Sequence, residues 1–396
     1  MNFNLASYTP PTERLRIEKL VYGGDGLARS DGRVVLTPFV LPGELVDVLT
    51  QRAKSDLLRG ILAKVLEPSE LRVAPPCPYF GRCGGCHYQH TPYENQLEQK
   101  RVILLEVLRR VGNIELEHEI AMLAGDPWHY RNRAQLHAHD GRVGFHAPGT
   151  HEVIPVDRCL ISSPKLNDVI GRLARELPHY PWFSTTIELF TNEVDIQVNV
   201  MDRIPASARS LFEELGTSLP IEQGAFRVSR NSFFQVNRFL IEQLLDVAIG
   251  QAEGESALDL YAGVGLFAHR LAARFRTVTA VETGSSAFRD LEFNTKRAEL
   301  AVTCVKQTAE EYLAGLDTTP DWIVADPPRA GLGKQATREL LRLKAPRLTI
   351  VSCDPSTLAR DLRSLLDGGY RLASTTLVDL FPQTYHLETV VQLTLV

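Results

Sequence analysis

Two rhythms of apolar and polar positions divide the chain. From Arg14 to Leu66 the apolar residues come in short alternating stretches, Arg14 to Leu20, Arg33 to Leu36, Glu44 to Thr50 and Leu58 to Val65, with Gly23-Gly24-Asp25-Gly26 reading as a turn. Several short strands at this spacing predict a small OB-like β-barrel. From Arg227 onward, runs of continuous apolar residues alternate with helical repeats such as Leu240, Ile241, Leu244, Leu245 and Ala248. That alternation predicts an α/β fold built on a parallel sheet. Between the two, Thr91-Pro92-Tyr93-Glu94 opens a helix through Leu97, Leu104, Leu105, Leu108 and Val111 that Gly112-Asn113 ends. Asp140-Gly141 predicts a hairpin turn. Arg131 and Arg133, two apart on the strand leading into it, share a face and could meet phosphates.

In an open α/β sheet, ligands bind beyond the carboxyl ends of the strands, so the residues that follow each apolar run carry the functional expectation. Ala257 to Leu260 ends in Tyr261-Ala262-Gly263-Val264-Gly265, Thr277 to Val281 ends at Glu282, and Trp322 to Ala325 ends in Asp326-Pro327-Pro328-Arg329. Leu348 to Val351 ends in Ser352-Cys353-Asp354-Pro355, and Glu388 stands just before the last strand, Thr389 to Leu395. Gly263 to Ala268 satisfies G-x-G-x-x-A, which serves a dinucleotide as well as S-adenosylmethionine, and Glu282 is placed for a ribose hydroxyl in either case. Asp259 before the glycines and the Asp-Pro-Pro turn favour the methyl donor, which has no pyrophosphate for a helix terminus to hold. An amino-methyltransferase is a second reading of Asp-Pro-Pro, but those enzymes usually follow the prolines with an aromatic residue, where this chain has Arg329. They also need no nucleophile.

A chain of 396 residues suggests two or three domains, and the pattern divides at 8–67, 68–225 and 226–396. The net charge of −5 does not announce a nucleic-acid partner, and the clusters Arg52, Lys54, Arg59 and Lys100, Arg101, Arg109, Arg110 read as solvated faces. Met1 to Pro10 lacks a basic-then-apolar segment and no long apolar run occurs, so a cytoplasmic protein is expected. Six cysteines in a reducing compartment suggest metal binding or chemistry rather than a disulfide framework. Cys77, Cys83 and Cys86, spaced C-x5-C-x2-C around Gly84-Gly85, with Cys159 as the candidate fourth ligand, would suit zinc or an iron–sulfur cluster.

Cys353 and Glu388, at neighbouring strand ends, match one demanding reaction. Carbon 5 of uracil is too weak a nucleophile to take a methyl group until a thiolate adds at carbon 6, and a base must then remove the carbon-5 proton so that the thiolate can leave. A thiol of ordinary pKa is scarcely ionised at neutrality, so a partly electropositive setting is expected around Cys353.

With these residues in place, the chain resembles the RNA 5-methyluridine methyltransferases, the bacterial ribosomal RNA and tRNA uracil-5 methylases, over nearly its whole length. Phe234-Gln235-Val236-Asn237, Asp259-Leu260-Tyr261, Asp326-Pro327-Pro328-Arg329, Ser352-Cys353-Asp354-Pro355 and Phe381-Pro382-Gln383-Thr384 with His386-x-Glu388 carry the resemblance in order. The resemblance implies a class I (Rossmann-like) methyltransferase domain behind a TRAM domain, with a small α+β domain between. It implies Cys353 as nucleophile and Glu388 as proton acceptor, with Gln235, Tyr261, Glu282 and Asp326 shaping the pocket for S-adenosylmethionine and uracil. It also implies a 4Fe–4S cluster on Cys77, Cys83, Cys86 and Cys159. A monomer acting on ribosomal RNA is expected, with the tRNA T-loop as the alternative. Leu266 stands where the family often has Asn or Thr near the cofactor's carboxylate, and Ala262 replaces a frequent cysteine.

Overall fold

The computed structural model describes residues 12–396 apart from Ser55, with no side-chain description for residues 52–54. The Met1 to Pro10 segment, the first residues of the expected 8–67 domain and the Arg52 and Lys54 side chains lie outside the described residues. Two compact units emerge: one runs to Ile103 and takes in Gln383–His386, and the other holds Leu104–Pro382 and Leu387–Val396.

The first unit contains a six-stranded sheet, Glu13–Arg16, Lys19–Leu20, Asp25–Ser30, Arg33–Pro38, Leu45–Lys54 and Leu57–Glu67. Glu13–Arg16 pairs with one end of this sheet and Lys19–Leu20, its continuation, with the other, which closes it into the expected barrel. Ile17, Ala28, Val35, Val46 and Val48 fill the interior. Asp25–Ser30 is a strand where the sequence suggested only a turn, because glycine here answers crowding rather than chain reversal. A Cβ on Gly26 would overlap Val40 Cγ2 and stand 2.9 Å from Ile17 Cγ2. Gly26→Ala is therefore expected to cost about 1–3 kcal/mol through overpacking, seen as a lowered urea midpoint. An unchanged midpoint would contradict this packing.

In the second unit the Asp140-Gly141 hairpin forms as expected, with φ of 49° and 69° at the two turn residues between Arg133–His139 and Arg142–His146. The dominant element is an eight-stranded sheet in the order Val302–Val305, Phe275–Val281, Gly254–Leu260, Trp322–Ala325, Arg347–Ser352, Glu388–Leu395, Tyr370–Val378, Ala121–Leu123. The first five are mutually parallel, and Glu388–Leu395 runs antiparallel to its neighbours. Helices Leu266–Ala272, Ser285–Arg297, Gly333–Leu343 and Pro355–Asp367 are interleaved with the strands, the βα alternation of a doubly wound fold. Leu258, Ile323, Val324, Ile350 and Val351 are buried, which accounts for continuous apolar runs in place of alternation. Among the described residues no helix is long and apolar enough to cross a membrane.

Candidate active site

Strand register assembles the site. Leu260 pairs with Val281 on one side and Ala325 on the other, so the next residue of each strand, Tyr261, Glu282 and Asp326, emerges at one edge of the sheet. Ser352 pairs with Thr389, and one further step along these antiparallel strands sets Cys353 beside Glu388. The reversed direction of the last strand is what brings its first residue to the edge where the parallel strands end.

The turn after Leu260 is held in an unusual conformation. Tyr261, Gly263 and Gly265 have φ of 61°, 58° and 98°; the first is a position where an aromatic residue stores about 1–3 kcal/mol of strain. The Glu282 carboxylate accepts the Gly263 amide at 2.8 Å on one oxygen and the Gly284 amide on the other. Each oxygen retains a second lone pair for a ligand hydroxyl. A Cβ added to Gly263 would meet nothing within 4 Å, so the turn is open on that side. Leu266 is buried in the core beneath it and presents no polar atom.

A cluster of acidic groups surrounds the thiol. Burial pushes Cys353 up to about 11, and the carboxyls of Glu388 and then Asp326 push the same way against the opposing Arg329 guanidinium. This corrects the expected electropositive setting: the thiol is desolvated and faces negative groups. Burial also drives Glu388 well above the usual carboxylate range, with Asp326 adding to it, and the packing around Asp326 raises that group to about 7. Gln235, itself buried, brings its side-chain nitrogen to 3.5 Å from Asp326 Oδ2. Asp259 lies fully buried behind this edge, and burial raises it far above its ordinary value against the opposing Ala268 amide.

The loop carrying Cys353 is pinned locally. Asp354 caps the helix Pro355–Asp367 by accepting the Ser356 and Thr357 amides, each at 2.9 Å. The Thr357 hydroxyl, within 3.2 Å of both the Arg329 and the Asp354 carbonyls, ties the Asp-Pro-Pro-Arg turn to the cysteine loop. The sequence reading passed over Thr357, although an Asp-Pro-x-Thr helix start is the signal that finds it.

Two expectations fare differently. Arg133 is not available to RNA phosphates: its guanidinium pairs with Glu188 at 2.8 Å, donates to the Ser232 carbonyl and lies 4.6 Å over the Phe190 ring. Arg131 turns its Nε onto the Arg133 carbonyl. Of the cysteines expected to hold a cluster, Cys77, Cys83 and Cys86 belong to the first unit and Cys159 to the second. Among the described residues no group of three or more His, Cys, Asp or Glu side chains is placed to hold a metal ion.

The sequence pattern of the tRNA (uracil-5-)-methyltransferase family matches residues 182–396, and that of the TRAM domain matches residues 7–63. The chain belongs to the tRNA (uracil-5-)-methyltransferase family. Its similarity extends to an uncharacterized RNA methyltransferase of Aquifex aeolicus, 34% identical over 95% of this chain and 97% of the relative. An uncharacterized RNA methyltransferase of Thermotoga maritima is 31% identical over 96% and 98%. The crystal structure of Pyrococcus abyssi tRNA (uracil-54, C5)-methyltransferase in complex with S-adenosyl-L-homocysteine shares the fold. Its TM-score is 0.78 at 24% identity, covering 96% of this chain and 99% of that one. The protein is thus an RNA (uracil-5-)-methyltransferase with an amino-terminal TRAM domain and a class I methyltransferase fold.

Proposed function

We propose that this member of the uracil-5-methyltransferase family methylates carbon 5 of a uridine in RNA through a covalent bond between Cys353 and the pyrimidine, with S-adenosylmethionine as donor. The observation that carries the reading is the pairing of Cys353 with Glu388 at adjacent strand ends, on the sheet edge that also bears the open glycine turn. Glu282 and the Gly263–Gly265 turn would hold the ribose and the adjoining part of the cofactor, which supplies an electrophilic methyl group on its sulfonium.

A thiol pushed up to about 11 offers little thiolate, and the greater nucleophilicity of a basic thiolate offsets only part of that loss. As the thiolate form of Cys353 bonds through Sγ to carbon 6, the electron pair of the 5,6 double bond moves into an enolate and charge grows on a carbonyl oxygen. Asp326, which burial raises to about 7, and the Gln235 amide would donate hydrogen bonds to that oxygen. Carbon 5 takes the methyl group, and the ionised carboxylate form of Glu388, whose proton affinity burial raises, removes the carbon-5 proton. The double bond re-forms and Sγ is expelled. A base within folded RNA must first be flipped out, at about a few kcal/mol.

Ribosomal RNA is the first candidate substrate, from the sequence pattern of barrel and clustered cysteines; tRNA is the second, favoured by the name of the matching family. Mapping 5-methyluridine in both RNAs from cells lacking the protein decides between them, since a single missing modification identifies the target. The TRAM domain is assigned to RNA binding, the three-part division at 67/68 and 225/226 is retained as a working map, and the protein is taken as a monomer in the cytoplasm. The 4Fe–4S cluster rests on the cysteine spacing together with the family resemblance. Protein isolated without oxygen should carry iron and acid-labile sulfide that Cys159→Ser removes, whereas an iron-free wild type eliminates the cluster.

A further inference from the structure

One face of the helix Ser285–Arg297 carries a stripe that amphipathic packing does not explain. Ser286, Asp290 and Asn294 follow at four-residue spacing; Asp290 and Asn294 are fully buried. A buried carboxylate and a buried amide are costly unless every polar atom is satisfied, and here the partners converge on two segments of the active site. Asp290 accepts the Arg227 guanidinium at 2.8 Å and, each at 2.7 Å, the Ser229 amide, the Ser229 hydroxyl and the Ser232 hydroxyl. Ser286 donates to the Arg230 carbonyl at 2.7 Å. These bonds fix the segment Arg227–Ser232, which ends three residues before Gln235. Asn294 does more. Its carbonyl accepts the Arg227 amide at 2.8 Å, and its amide nitrogen donates to the Arg227 carbonyl at 3.1 Å and to the Val264 carbonyl, inside the glycine turn, at 3.0 Å.

We propose that this stripe couples the two halves of the active site: Asn294 is a positioning residue for both the glycine turn and the segment leading to Gln235, and Asp290 is a positioning residue for that segment alone. The inference rests on the reading that the glycine turn holds the methyl donor. A single side chain bonded to both segments leaves neither able to shift without straining the other, so the cofactor side and the uracil side keep a fixed separation. Positioning of this kind is worth a large factor in rate when the reacting atoms must meet within a narrow range.

The test uses full-length protein, S-adenosylhomocysteine binding by calorimetry, and methylation of total RNA from cells lacking the protein with tritiated S-adenosylmethionine, all well below the melting temperature of each variant. Asn294→Ala is expected to raise the S-adenosylhomocysteine Kd about tenfold and lower kcat about tenfold. Asp290→Asn should leave that Kd within about twofold while lowering kcat or raising KM for RNA about tenfold. Should Asn294→Ala fail to fold, Asn294→Asp keeps the volume and the acceptor but cannot donate to Val264, and the same change in Kd is expected. The proposal is overturned if the variants only melt earlier while Kd, kcat and KM stay at wild-type values. It is equally overturned if Asp290→Asn weakens S-adenosylhomocysteine binding as much as Asn294→Ala. A wild type that binds no S-adenosylhomocysteine would sink the reading of the glycine turn and the coupling with it, an outcome distinct from either.

Discussion

Cys353→Ala will lose methyl transfer to below detection while retaining the fold, because in the proposed mechanism the ring carbon that accepts the methyl group is activated only by the bond to this sulfur. Half-buried at the end of a central strand, the residue loses only its sulfur atom on substitution, so the sheet should tolerate the change. The appropriate readout is release of tritium from 5-tritiated uridine in RNA, with S-adenosylhomocysteine binding as the control for a folded site. Wild-type binding with no tritium release is the expected pair of results. Release at even a tenth of the wild-type rate would mean that carbon 5 is activated without Cys353.

Glu388→Gln separates the two halves of the reaction. An amide of the same shape cannot take the carbon-5 proton, and loss of a positioned base typically costs about 10² to 10⁴ in rate. In the proposed mechanism nucleophilic addition and methyl transfer precede that step, so the variant should accumulate protein joined to ordinary methylated RNA, visible as a slowly migrating band under denaturing conditions. The substitution also removes one of the negative groups that push the Cys353 thiol up, so the addition step should not be slowed. A variant that turns over slowly without accumulating the joined species would assign proton removal to another group.

The sheet and the edge on which the site sits were legible in the sequence because both follow from periodicity. Continuous apolar runs ending in Tyr261, Glu282, Asp326 and Cys353 could belong only to buried parallel strands, and the crevice beyond their ends is general to such sheets. The barrel was legible as a barrel, but Asp25–Ser30 was hidden by glycines that the chain uses for close packing. Arg133 looked like a phosphate ligand because spacing shows which face a residue takes and not what it meets; Glu188 and Phe190 are more than fifty residues away in sequence. The charge environment of Cys353 was illegible for the same reason. It depends on burial and on carboxylates from two other strands, and it reversed the expected sign. No sequence motif marks Asp290 or Asn294, and only their partners across more than sixty and about thirty residues distinguish them.

The most direct test of the account is to incubate the wild-type protein with S-adenosylmethionine and RNA containing 5-fluorouridine, whose fluorine cannot be removed as a proton, and to map the resulting adduct by peptide mass spectrometry. The account predicts one modified peptide, bearing a methylated fluorouridine on Cys353. An adduct on any other residue, or RNA methylated at carbon 5 of uridine by a protein that forms no adduct at all, would contradict it.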